Sequence, residues 1–250
     1  MATADPPKRR VRRRKGAERD PAGRTSKTVP RVRHRRLPTS ARVISLRRAL
    51  AKRHVRVVAV DDGRFRRTQR FAPLAAVVVS LPGYVEAVRV DRVEVDGVDA
   101  TERIEALIEA TGHTQDIRAV VLDGVVVGGF NVVDLDRLHR RVGWPIITVT
   151  RRAPDRDRIR AALAKWFPKD HRLRRRRIEA HALFRVPTAG EPIFASVVGA
   201  TRRDATALIH RMTVRGYWPE PLRLAHLVAS ARAERTVKTG GPASPAGPVA

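Results

Sequence analysis

The chain has 250 residues, with 52 Lys and Arg against 25 Asp and Glu, a formal net charge of +27 and no cysteine. That length suits one domain of ordinary size with tails, and the missing thiols exclude disulfides, thiolate nucleophiles and cysteine-ligated zinc, as expected for a reducing cytoplasm. The excess positive charge opposes folding and points to a polyanionic partner, nucleic acid before an anionic membrane, while no apolar run is long enough to span a bilayer.

Residues 1–38 are rich in Arg, Lys, Pro and Gly and nearly free of large apolar groups, which predicts a disordered basic arm. A short helix through Leu50, capped by Ser40, comes next. Val55–Asp61 reads as a first strand, Leu74–Ser80 as a second and the alternating Val85–Val95 as a third, with Pro82-Gly83 turning between the last two. Apolar Ile104, Leu107 and Ile108 set a helix over Thr101–Ala110, ended by Gly112. Ile117–Asp123 is a fourth, all-apolar strand. A helix over Val132–Val142 stops at Gly143, and Pro145–Val149 is strand five. Helices over Asp155–Trp166 and His171–Ala180, a short strand at Ile193–Val197 and closing helices over Arg202–Met212 and Pro221–Arg235 complete a domain of residues 39–235. Thr236–Ala250 reads as a Gly/Pro/Ala-rich tail.

Three strands in a meander followed by helix–strand alternation predict an α/β fold. Its mixed sheet carries helices on both faces, the plan of the ribonuclease H-like fold. A doubly wound nucleotide-binding domain would want a Gly-rich loop after strand one. Asp61-Asp62-Gly63-Arg64-Phe65 stands there instead and repels phosphate unless a metal intervenes.

Two apolar strands that end on acid, at Asp61 and Asp123, can bring carboxylates to one sheet edge. There they repel one another unless a proton or a divalent cation lies between them. Each also fits an Asp-Gly turn. Asp99, at the mouth of the first long helix, fits a third ligand or a helix cap completed by Glu102. Arg223 and His226 share a helical face after Pro219-Glu220-Pro221, and His226 fits a proton shuttle or a positioner of water. Arg64, Arg66, Arg174 and Arg175 are candidate phosphate contacts, the last two within the dense run Arg172–Arg177.

Pro219-Glu220-Pro221-Leu222-Arg223-Leu224-Ala225-His226, with Val60-Asp61 and Leu122-Asp123-Gly124, resembles endonuclease V, a metal-dependent nuclease family of ribonuclease H-like fold. Asp99 falls where that family has a glutamate, and Arg151 or Arg152 falls near its lysine. A sister family, endonuclease dU, is more similar. Its marks are Asp61-Asp62-Gly63, Asp96-Gly97-Val98-Asp99-Ala100-Thr101, Gly128-Gly129-Phe130-Asn131-Val132-Val133-Asp134 and the Pro-Glu-Pro-Leu-Arg string. The resemblance implies a Mg²⁺- or Mn²⁺-dependent endonuclease acting in DNA repair on DNA that contains deoxyuridine or a related deaminated base. Asp61, Asp99 and Asp123 would bind metal and His226 would assist. Arg64, Arg66, Arg151, Arg152, Arg174, Arg175 and Arg223 would face DNA (or RNA), with no membrane and no small-molecule cofactor involved. The alternative is a nucleic-acid-binding protein that keeps the fold without the chemistry.

Overall fold

The computed structural model describes residues 45–238; the basic arm of residues 1–38, the Ser40 cap and the last twelve residues lie outside that range. Helix α1 (Leu46–Leu50) is capped by Ser45, whose hydroxyl accepts from Arg48 N. β1 (Arg56–Asp62), β2 (Phe71–Ser80) and β3 (Tyr84–Glu94) form the antiparallel meander. Helix α2 (Ala100–Glu109) and β4 (Ile117–Asp123) follow, then a small hairpin of β5 (Val126–Val127) and β6 (Asn131–Val132). The rest of the chain runs through α3 (Leu135–Val142), β7 (Ile146–Thr150), α4 (Arg156–Trp166), α5 (His171–Glu179), β8 (Phe184–Val186), β9 (Ile193–Val198), α6 (Arg202–Met212) and α7 (Glu220–Lys238).

The seven-stranded sheet has the order β3-β2-β1-β4-β7-β9-β8. β1, β4 and β7 are parallel at its centre, while the outer neighbours run antiparallel. This is a mixed α/β sheet of ribonuclease H-like type, as the sequence pattern predicts. Three parallel strands in a row need both faces covered, and two apolar clusters cover them. Odd-numbered Val57, Ala59, Val121, Ile147 and Val149 pack with Leu208 of α6 and with Leu222 and Ala225 of α7. Even-numbered Val58, Val60, Val120, Leu122 and Ile146 pack with Ile104 and Ile108 of α2 and Leu138 of α3. The split follows from the period of two in a strand.

Three local features differ from the sequence reading. The helix expected from Val132 begins at Leu135, because Asp134 caps it by accepting from Arg137 N and residues 131–132 belong to the hairpin. β8 adds an edge strand where none was expected. Helix α7 runs on through Lys238, beyond the expected start of the tail at Thr236.

Candidate metal and nucleic-acid site

The register fixes the first pair of residues. β1 and β4 run parallel with Val60 opposite Leu122, so the next residues, Asp61 and Asp123, leave adjacent strands at the same edge. Both continue the odd-numbered row, which faces α7. Asp62 continues the even-numbered row, and its carboxylate accepts from Gly128 N in the β5–β6 hairpin.

Asp61 is buried, at 4 % exposure. One oxygen accepts from Asp62 N at 2.8 Å and the other shares a hydrogen bond with His226 Nδ1 at 3.1 Å. Gly63 makes the second contact possible. A Cβ there would lie 2.4 Å from the backbone carbon of Ala229, so only glycine lets α7 come close enough to bring His226 beside Asp61. Ser230, one turn on, accepts from Arg64 N and stands 3.4 Å from His226 Nε2. A residue pair 165 positions apart in sequence is thus joined at the end of the first strand.

Burial, and then the charges of Asp123 and Asp62, push the Asp61 carboxyl up to about 9. Burial likewise raises Asp123, to about 6, against the opposing pull of the Arg151 guanidinium. Asp62 is raised too, chiefly by burial, with its hydrogen bond from Gly128 working the other way. Asp123 is half-buried, and among the described residues no donor supplies its carboxylate with a hydrogen bond. A partly desolvated carboxylate with no protein donor is favoured by a proton or a cation beside it. The donor set consists of hard carboxylate oxygens with one imidazole and no sulfur, which suits Mg²⁺ or Mn²⁺. Among the described residues, no three such side chains already stand at ligand spacing. Burial, with like-charge repulsion added at Asp61 and Asp123, raises the proton affinities, and a bound cation would offset both effects.

Asp99 departs from the expected site. Its carboxylate takes hydrogen bonds from Arg103 Nε at 2.9 Å, Asn131 Nδ2 at 2.7 Å and Glu94 N at 3.2 Å. The carboxylate charges felt at Asp61 are those of Asp123 and Asp62, and Asp99 is not among them. Asp99 does not cap α2 with its side chain either; Asn131 Oδ1 accepts from Ala100 N in that role. The third acid of the cluster is Asp62, which the sequence reading treats only as part of a motif. Its signal was the Asp-Asp pair at a strand end, where the two side chains serve opposite faces of one edge.

The arginines divide as well. Arg64, Arg66, Arg151, Arg152 and Arg175 are exposed. Arg151 stacks over Trp218, 4.1 Å from the ring centre, and holds positive charge beside the acidic cluster. Arg223 is exposed but engaged in a two-pronged pair with Glu220, at 2.7 and 2.5 Å. Arg174 is a correction, because it is buried at 6 % exposure. Its guanidinium pairs with Asp170, donates to the carbonyls of Gly97 and Phe130, and lies over Phe167. It ties α5 to the loops around α2 and the hairpin and leaves nothing for a phosphate.

Residues 53–233 match the sequence model of the family described as endonuclease dU. The chain is 37% identical over 180 residues to a UPF0215 protein of Methanothermobacter thermautotrophicus, covering 72% of this chain and 88% of the relative. A UPF0215 protein of Thermococcus gammatolerans is 39% identical over 189 residues, covering 72% and 93%. Among solved structures, a protein of unknown function from Archaeoglobus fulgidus superposes with a TM-score of 0.65 at 31% identity, over 71% of this chain and 98% of that one. Ciona intestinalis endonuclease V, in complex with a DNA containing an inosine followed by a ribo-adenosine, gives 0.52 at 15% identity, over 74% and 88%. At that identity the likeness is one of fold. The chain belongs to the endonuclease dU family and so stands among nucleases.

Proposed function

We propose that the protein is a divalent-metal-dependent endonuclease that cuts DNA at or beside deoxyuridine or a related deaminated base. The observation that carries this reading is the pair Asp61 and Asp123. They end adjacent parallel strands, and burial first, then neighbouring carboxylate charge (Asp123 and Asp62 at Asp61, Asp62 at Asp123), raises both carboxyls. Folding does not require such a pair, and the pair opposes it. Asp61 and Asp123, with Asp62 in support, would hold the cation. When bound, a divalent cation supplies Lewis acidity toward a phosphodiester and its attacking water.

The other parts are supplied by the chain's own residues. His226 shares a proton with Asp61 at Nδ1 and presents Nε2 toward Ser230, so it can hold or pass a proton at the edge of the site. Arg151 and the exposed Arg64 and Arg66 supply positive charge for a polyanion running past the strand ends. The test is cleavage of uracil-containing plasmid in Mn²⁺ or Mg²⁺, with EDTA and the D61N and D123N proteins as controls. The proposal expects cutting by the wild type alone, and only with metal. An uncut plasmid beside a working control nuclease overturns it.

A further inference from the structure

A cavity opens beside Asp123, on the even-numbered face of the sheet. It has a volume of about 150 Å³ and a mostly apolar wall. Gly124, Val126, Thr148, Ile159, Arg177 and Ser196 are among its lining residues. Its floor is even-numbered: Thr148 on β7 and Ser196 on β9 are paired across the ladder and both are buried, at 3 % and 4 % exposure. Their hydroxyls hydrogen-bond to each other at 2.8 Å. Two hydroxyls have two donors and use one between them, so one donor and several lone pairs remain for a ligand. Arg177 adds a second unmet group. Its terminal nitrogen pairs with Asp134 at 3.3 Å, while its Nε–H is buried and has no acceptor. An unpaired buried donor and a spare hydroxyl proton are unfavourable unless something brings acceptors to them.

The cavity therefore has apolar walls, a buried hydroxyl pair, a spare guanidinium N–H, and Gly124 at its rim, one residue past Asp123. Resting on the nuclease reading above, we infer that this cavity receives the extruded base, a single-ring base read through its carbonyl groups, with uracil as the fit. Volume decides between one ring and two, because cavities of about 150 Å³ accept a benzene-sized ring. Flat rings pack well between aliphatic side chains, and the carbonyl oxygens of uracil are acceptors where the pocket offers unmet donors. Its position fits extrusion, since the base would turn into the even face while its phosphate stays at the acidic edge.

The test uses the full chain, made cleavage-deficient by D123N, and a DNA oligomer carrying one 5-fluoro-2′-deoxyuridine, followed by ¹⁹F NMR without metal. The inference expects the fluorine resonance to move on binding. The shift should be lost in an Ile159→Trp protein, which fills the pocket, and weakened in a T148V/S196A protein, which removes both hydroxyls at nearly constant shape. In the cleavage-competent chain the same pocket changes should lower the ratio of uracil to undamaged cutting by tenfold or more, with melting temperatures recorded to show that each variant folds. Hypoxanthine, a two-ring base, should be cut more slowly than uracil.

A fluorine shift without any cleavage keeps the pocket and sinks the nuclease reading. Cleavage of uracil DNA with an unchanged fluorine signal, or with uracil preference intact in folded Ile159→Trp, sinks the pocket alone. Equal cutting of hypoxanthine and uracil overturns the single-ring assignment.

Discussion

Replacing Asp61 by Asn should make the metal-free protein more stable, and increasingly so as pH rises. The folded-state value of about 9 lies far above the 3.8 of an ordinary aspartate. A carboxyl raised in this way contributes fully to stability below about pH 4 and loses that contribution as pH climbs through about 9. At pH 7 the unfolded chain has released the proton and the folded chain must keep it. The gap of roughly three pH units, at about 1.4 kcal/mol each, gives an upper bound of about 4 kcal/mol. Relaxation and water entry reduce it, and about 2 kcal/mol is a reasonable floor. Asparagine avoids this cost. Its amide N–H can donate to His226 Nδ1 as the protonated carboxyl would, so little else changes. Urea denaturation of both proteins in EDTA at pH 5, 7 and 8.5 gives the measurement. The Asn variant should gain little at pH 5 and most at pH 8.5, with unchanged m-values. A stability difference that is flat with pH, or a variant less stable than wild type at pH 8.5, refutes the electrostatic account of the site.

Three further outcomes follow from the geometry. Mn²⁺ should raise the melting temperature of the wild type and of D99N, whose altered carboxylate lies in another network, but not that of D123N; equal loss in D99N would return Asp99 to the metal site. Gly63→Ala should cost about 1–3 kcal/mol by overpacking against Ala229. Its cleavage rate should fall further than stability explains, because α7 must shift and carry His226 from Asp61; paired denaturation and single-turnover assays separate the two effects. Arg174→Ala should destabilise by about 3–5 kcal/mol through a broken buried pair, whereas Arg175→Ala should leave stability within about 0.5 kcal/mol and reduce the salt slope of DNA binding by about one counterion. Denaturant titration and affinity measured across a salt series check that pair.

What the sequence made legible depended on whether a feature was local. The apolar runs at 57–60 and 119–122 identify central strands because both faces of each are covered, and their terminal acids stand out against that background. The helix pattern over 202–212 coincides with α6 at both ends. The β5–β6 hairpin is not visible in the sequence because two-residue strands carry no periodic signal. The helix expected from Val132 therefore overlaps the end of β6.

Non-local facts were harder. That Asp99 turns to Arg103 and Asn131 while Asp62 lies beside Asp61 depends on contacts between segments far apart in the chain, which only the folded structure shows. Arg174 sits in a run whose members look alike. What marks it is Asp170 four residues earlier and a vacancy under the hairpin, and only the first of these is visible in sequence.

The Gly63 contact has one more consequence. The first strand of the domain supplies the acid and its last helix the imidazole, and they meet only through a gap that one glycine keeps open. A ribosome-bound chain that has emerged only through β9 already carries every acidic residue of the cluster yet lacks the imidazole that meets Asp61. The hydrogen bond between Asp61 and His226 thus closes last, when α7 docks on the sheet.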